Sequence, residues 1–161
     1  MTKKQALNLY NGLQGVSDLP GAKWAYGIAK NVEKLRTEIE ALQKAFTPSK
    51  EFSEYNDKRI ELAQKYAIKE DGKPRTVKIG NTEEYLIGDK DKFNKELSKL
   101  QKEYKKNLDD RKKQVDDFNE ILEEKVEIDL YMINPDYIPE GITPAQMSAI
   151  MPIISEKEEK T

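Results

Sequence analysis

In the stretch "AYGIAKNVEKLRTEIEALQKAF", apolar residues return at alternating intervals of three and four: Ala25, Ile28, Val32, Leu35, Ile39, Leu42 and Phe46. That period of about 3.5 is a heptad seam, and a helix carrying one cannot leave it in water along its length. A facing helix is therefore required, and a second stripe supplies a candidate. From Asp89 or Asp91, either able to cap, the spacing predicts a helix to about Glu124 with Phe93, Leu97, Leu100, Tyr104, Leu108, Arg111, Val115, Phe118 and Leu122 on one side. The expectation is an antiparallel, coiled-coil-like helical hairpin in which residues 28–46 face residues 93–122.

Between these helices, Thr47, Pro48 and Ser49 interrupt the first, because proline removes a helical donor and clashes one turn back. The helix either restarts with Thr47 as cap or bends there. A weaker stripe (Phe52, Tyr55, Leu62, Tyr66) then runs to "EDGKP". "TVKIGNTEEYLIGD" alternates on both sides of Gly80 and Asn81, which predicts a β-hairpin. "KVEIDLYMI" alternates from Val126 to Leu130, the period of a half-buried strand. A lone strand leaves its backbone unpaired, so residues 126–132 are expected to add a third strand beside 76–79 or 84–87. At the two ends, Thr2 can cap an opening helix over residues 2–14 with Ala6, Leu9 and Leu13 on one side. Thr143, Pro144 and Gln146 form a capping box for a short C-terminal helix. The fold class is thus mainly α with a small β-sheet (α+β). Residues 1–155 read as one elongated domain and residues 156–161 as a polar tail.

Composition excludes several chemistries. There is no cysteine and no histidine among 161 residues, which removes thiolate nucleophiles, disulfides, Cys/His zinc sites and imidazole acid–base catalysis. The 28 basic and 30 acidic residues give a net charge of −2, without the basic surplus that phosphate binding needs, so nucleic acid is not expected as the main ligand. No apolar run reaches the length of a membrane span, and "MTKKQALNLYNGL" has no apolar signal core, so neither a membrane nor a secretory route is expected. The eight glycines never form a phosphate-binding loop. Glu123, Glu124 and Glu127, or Asp116, Asp117 and Glu120, could line a helix face toward a divalent cation, but a solvated face explains them better. The reading is of a non-enzymatic chain with no catalytic residue, cofactor or metal.

The candidate site is a surface for another protein. Ile142, Met147, Ile150, Met151, Ile153 and Ile154 exceed what one face of a short helix can bury. In one arrangement Met151 and Ile153 stay partly exposed with Tyr137 or Ile138 beside them, forming an adaptable apolar patch. In the other, all six are buried under the opening helix. Trp24 neighbours the α-helical seam without belonging to it, either packing over the opening helix or serving an interface.

The order of elements, with "KEDG", "VEID" and "ITPAQMSAIMPII", resembles a family of small uncharacterised proteins encoded by tailed bacteriophages and prophages. The resemblance implies a phage context, in the host cytoplasm or the virion. It implies no enzymatic activity, and it points to a partner that is a phage structural protein, a host protein or a second copy. The plan of helix, β-hairpin and returning helix is also that of prefoldin-like chaperone subunits, which would oligomerise through the sheet.

Overall fold

The computed structural model describes residues 1–156, and the expected tail from Lys157 onward lies outside the described residues. Six α-helices and two small antiparallel two-stranded sheets make the protein mainly α with a little β. The chain divides into two compact units, Met1–Phe46 with the chain from Asp116 onward, and Thr47–Val115.

The first unit holds nearly all of the fully buried apolar side chains. Helix α1 (Lys3–Gln14) starts in a capping box, with the Thr2 hydroxyl accepting from the Gln5 N–H and the Gln5 side chain accepting from the Thr2 N–H. Its Ala6, Leu9 and Leu13 are buried against helix α2 (Ala22–Phe46), from which Trp24, Ile28, Leu35, Ile39 and Leu42 join the same core. Burying a side chain of this size contributes roughly 1.5–3 kcal/mol, so this cluster is the main stabilising mass of the unit. The buried row of α2 runs 24, 28, 31, 35, 39, 42, which corrects the seam at three points, one being its last member Phe46, 40% exposed. Trp24 belongs to it and Ala25 is exposed; Asn31, fully buried, takes the place expected of Val32.

The surface covering that row also differs from expectation. It is α1, the C-terminal segment and residues 126–133, with only Phe118, Ile121 and Leu122 contributed by helix α5 (Lys105–Glu123). The single helix expected over 93–122 is two, α4 (Lys90–Glu103) and α5, separated at Tyr104. No proline or glycine stands at that break. Tyr104 instead turns its ring onto Tyr55, with centroids 5.7 Å apart, and its hydroxyl accepts from Lys58 Nζ at 2.7 Å.

Residues 126–132 are not a third strand, although their alternation is real. Val126, Ile128 and Leu130 turn inward onto the helices, ending at the buried Ile133. Part of the backbone is paired without a sheet. Val126 N–H donates to the Met1 carbonyl at 2.9 Å, and Lys34 Nζ donates to the Asp129 carbonyl and, at 2.7 Å, to its carboxylate. At Tyr131 the Asn31 side-chain amide both donates to the carbonyl and accepts from the N–H, each at 2.8 Å, as a neighbouring strand would. Ile133 then exchanges bonds with the chain end, donating to Ile153 O at 2.7 Å and accepting from Ser155 N–H at 2.9 Å.

Helix α6 (Pro144–Ile150) has the expected box, with Thr143 accepting from Gln146 N–H, and it passes into a 3-10 turn, Met151–Ile153. It lies so close to α1 that a Cβ at Gly12 would stand 2.9 Å from the Ala149 carbonyl oxygen.

The second unit has a thin core. Helix α3 (Lys50–Tyr66) begins after Pro48 with Ser49, not Thr47, as its cap, accepting from Phe52 N–H at 3.1 Å. It packs against α4, whose cap Asp89 accepts from Lys92 N–H. Between them lie two hairpins: β1 (Lys69–Glu70) with β2 (Lys73–Pro74), and β3 (Thr76–Ile79) with β4 (Thr82–Tyr85). The first turns through Asp71 and Gly72, both at positive φ (51° and 77°), as a type I′ turn requires. The second turns through Gly80 at φ 63°. A closed ring of three backbone bonds joins the hairpins: Arg75 donates to Ile68, Leu86 to Arg75 and Ile68 to Leu86. The Asp71–Gly72 hairpin has no counterpart in the expected fold.

Candidate protein-interaction site

The five candidate interaction residues separate. Ile153 and Trp24 are fully buried; Ile153 is core and not patch, fixed by the backbone bond from Ile133, and the Trp24 indole N–H donates to Val16 O at 3.3 Å. Ile138 is half-buried against the core. Met151 is 55% exposed and Tyr137 37% exposed. Met151 is not among the residues lining the groove that holds Tyr137. Tyr137 instead meets two tyrosines that the sequence did not single out.

Tyr137, Tyr131 and Tyr26, with Ala22 and Lys23, line an open groove of about 350 Å³ in the first unit. Tyr26 is 54% and Tyr131 40% exposed. Their rings stand nearly perpendicular, at 84° with centroids 5.7 Å apart, making an edge-to-face corner. The sequence explains each position. Tyr26 projects from α2 away from the buried row of Trp24, Ile28 and Asn31. Tyr131 follows the inward Leu130 by one residue, so alternation turns it outward. Tyr137 ends a 3-10 turn, Pro135–Tyr137, capped by the Asn134 side chain accepting from Asp136 N–H at 2.9 Å. The signal that could have found Tyr26 and Tyr131 is a tyrosine at the solvent phase of a pattern whose other phase is core.

The groove is held rigidly. Asn31 fixes the Tyr131 backbone from beneath, and Gly27 lets the segment approach, since a Cβ there would lie 2.6 Å from Ile133 Cδ1. The electrostatics are one-signed. Lys23 Nζ lies 4.4 Å from the Tyr137 ring centroid and donates to its hydroxyl at 3.2 Å, and Lys30 Nζ lies 5.6 Å from the Tyr26 centroid. The carboxylate of Asp129 is already engaged, and its hydrogen bond from Lys34, helped by that residue's charge, holds it below the usual carboxylate range.

The second unit carries a larger furrow, about 580 Å³, floored by Ile60, Ala63, Tyr85, Ile87, Phe93 and Leu97, with Arg59, Glu83 and Glu84 among its other lining residues. Among the described residues no cluster of three or more acidic side chains is placed to hold a metal ion, and no helix is long and apolar enough to cross a membrane. No protein-family model, no curated protein and no solved structure matches this chain.

Proposed function

We propose that this protein is non-enzymatic and acts by binding another protein through the groove of Tyr26, Tyr131 and Tyr137. The observation carrying the proposal is three half-exposed tyrosines gathered on a backbone locked from below. Tyrosine supplies large, rigid contact area with little side-chain entropy to lose, and it concentrates at interface centres for that reason. Interaction proteins spend structure on presenting such a surface, and here Asn31, Gly27 and the Asn134 cap do so. The sequence resemblance points to a phage structural protein or a host protein as the partner, met in the virion or the host cytoplasm.

The test places a photocrosslinking phenylalanine analogue at position 131 in the producing cell. Expected is one dominant crosslinked protein, lost when Tyr26 and Tyr137 are both replaced by serine while the Trp24 fluorescence melt is unchanged. Crosslinks that persist in that double variant would move the interface away from the groove.

A second reading has one observation in its favour. The second unit runs α3, two hairpins, α4, the order of a chaperone-type helical hairpin, and it exposes Ile68 and Ile79. That reading requires assembly through the hairpins, and a monomer at every concentration in light scattering would end it.

A further inference from the structure

Resting on the interaction reading above, the chemistry of the groove narrows what can occupy it. We infer that it takes an extended segment of a partner protein in which proline is flanked by aspartate or glutamate.

The charge argument comes first. No carboxylate lines the groove, and neither Lys23 nor Lys30 forms an ion pair among the described residues. Asp129, the acid on the neighbouring segment, is committed to Lys34. Two ammonium groups therefore sit beside the tyrosines with no ion-pair partner among the described residues, which favours an acidic ligand and repels a basic one.

The same lysines exclude the other familiar occupant of a tyrosine cluster. An aromatic cage for a quaternary ammonium needs free ring faces. Here the Tyr137 face carries Lys23 and the Tyr26 face carries Lys30. A second cation would find those faces taken and a like charge beside them.

Shape and hydrogen bonding supply the rest. An open groove of about 350 Å³ has room for a few residues of extended chain. The hydroxyls of Tyr26 and Tyr131 have no hydrogen-bond partner among the described residues, so both can donate to carbonyls of an incoming backbone. Proline suits this corner. It offers a flat ring to Tyr131, the groove ring that carries no lysine among the described residues, has no N–H needing an acceptor against the rings, and loses little entropy on binding because its φ is preset.

Three peptides, each carrying fluorescein on the α-amino group of an N-terminal Gly-Gly spacer and amidated at the other end, test the inference by anisotropy against the full chain: Glu-Pro-Pro-Glu-Pro, its lysine counterpart with lysine at both glutamate positions, and Glu-Ala-Ala-Glu-Ala. Expected is binding of the first at least tenfold tighter than either of the others. That binding should weaken as salt rises, and Lys23→Gln with Lys30→Gln should reduce it by tenfold or more with the Trp24 melt unchanged. Equal or tighter binding of the lysine peptide, or of the alanine peptide, overturns the inference. So does binding indifferent to the lysine substitutions. If none of the three binds while crosslinking from position 131 still captures a protein, the ligand chemistry is wrong and the groove remains the interface. If crosslinking fails as well, the reading beneath it falls too.

Discussion

Replacing Asn31 tests how residues 126–133 are held without a sheet. Its amide makes three hydrogen bonds from a fully buried position: to Gly27 O at 3.0 Å, to Tyr131 O at 2.8 Å, and from Tyr131 N–H at 2.8 Å. Asn31→Leu keeps the branched shape, with methyl groups bulkier than the amide atoms they replace, and removes all three. The Gly27 carbonyl keeps its place in the helix, so the loss concentrates on the two Tyr131 groups. A hydrogen bond is worth about 1 kcal/mol net, and a buried group left unpaired costs about 1–3 kcal/mol, giving a destabilisation of about 2–4 kcal/mol. With an m-value near 1.5 kcal/mol/M, the urea midpoint falls by about 2 M. Trp24 is the sole tryptophan and lies fully buried in the same unit, so its fluorescence reads that unit's unfolding. Asn31→Asp gives a second, signed result. A carboxylate there would face two carbonyl oxygens in a desolvated site, raising its folded pKa above the unfolded one. The penalty is then largest at neutral pH and shrinks as acid protonates the carboxyl, which can donate to Tyr131 O again. Its stability gap to the parent at the same pH should therefore narrow on acidification. Wild-type midpoints for Asn31→Leu, with unchanged amide exchange at Tyr131, would refute the reasoning.

Gly27→Ala should destabilise the first unit by about 1–3 kcal/mol, since its Cβ meets the buried Ile133 side chain at 2.6 Å, and the Trp24 transition measures it. Thr143→Ala removes the oxygen that receives Gln146 N–H and should cost about 1 kcal/mol in the same assay, with Thr143→Ser restoring most of it. In the second unit, hydrogen bonds from Tyr66 and then Lys65 hold the Glu96 carboxyl below its ordinary value, as the Lys92 backbone N–H does for the Asp89 cap. A depressed carboxyl stabilises above its unfolded pKa and loses that contribution as pH falls through the folded one. Tyr66→Phe should therefore be less stable than the parent at pH 7 by circular dichroism, and the gap should close as acid protonates the Glu96 carboxyl.

Local signals read without their neighbours proved reliable where a capping box marks the helix start, whereas the cap of α3 fell on Ser49 and not on Thr47. Thr2 and Thr143 cap as their spacing to Gln5 and Gln146 demands, because a capping box is settled within four residues. Gly80 turns its hairpin for the same reason. Asp71–Gly72 carried an equally local signal, but "EDGKP" reads as a helix stop unless the two-residue strands beside it are allowed for, and strands that short show no alternation. The misplaced helix partner is another matter. A stripe states that a face must be covered and does not state by what. Trp24 and Asn31 entered the buried row because the side chains that cover α2 come from α1, the C-terminal segment and residues 126–133 and not from a facing coiled-coil helix.

The candidate site follows the same division. Alternation in "VEIDLY" reports which side chains face inward, and it holds from Val126 to Leu130. It says nothing of how the backbone is paired, and a polar residue on an otherwise apolar stripe turned out to supply that pairing. Asn31 at seam spacing would ordinarily be read as a flaw in the heptad. A buried amide on a helix can offer one donor and one acceptor side by side, which is the hydrogen-bonding face of a strand. An extended segment can thus lie on a helix with its outward residues free. Where those are tyrosine, as at Tyr131, the arrangement leaves aromatic surface facing solvent above a fixed backbone, and Tyr26 and Tyr137 complete it. The C-terminal patch was sought in the residues with the most apolar excess. Of these Ile150 and Ile153 were drawn into the core, because closing it required them. What remained at the surface was the set of residues whose phase placed them there.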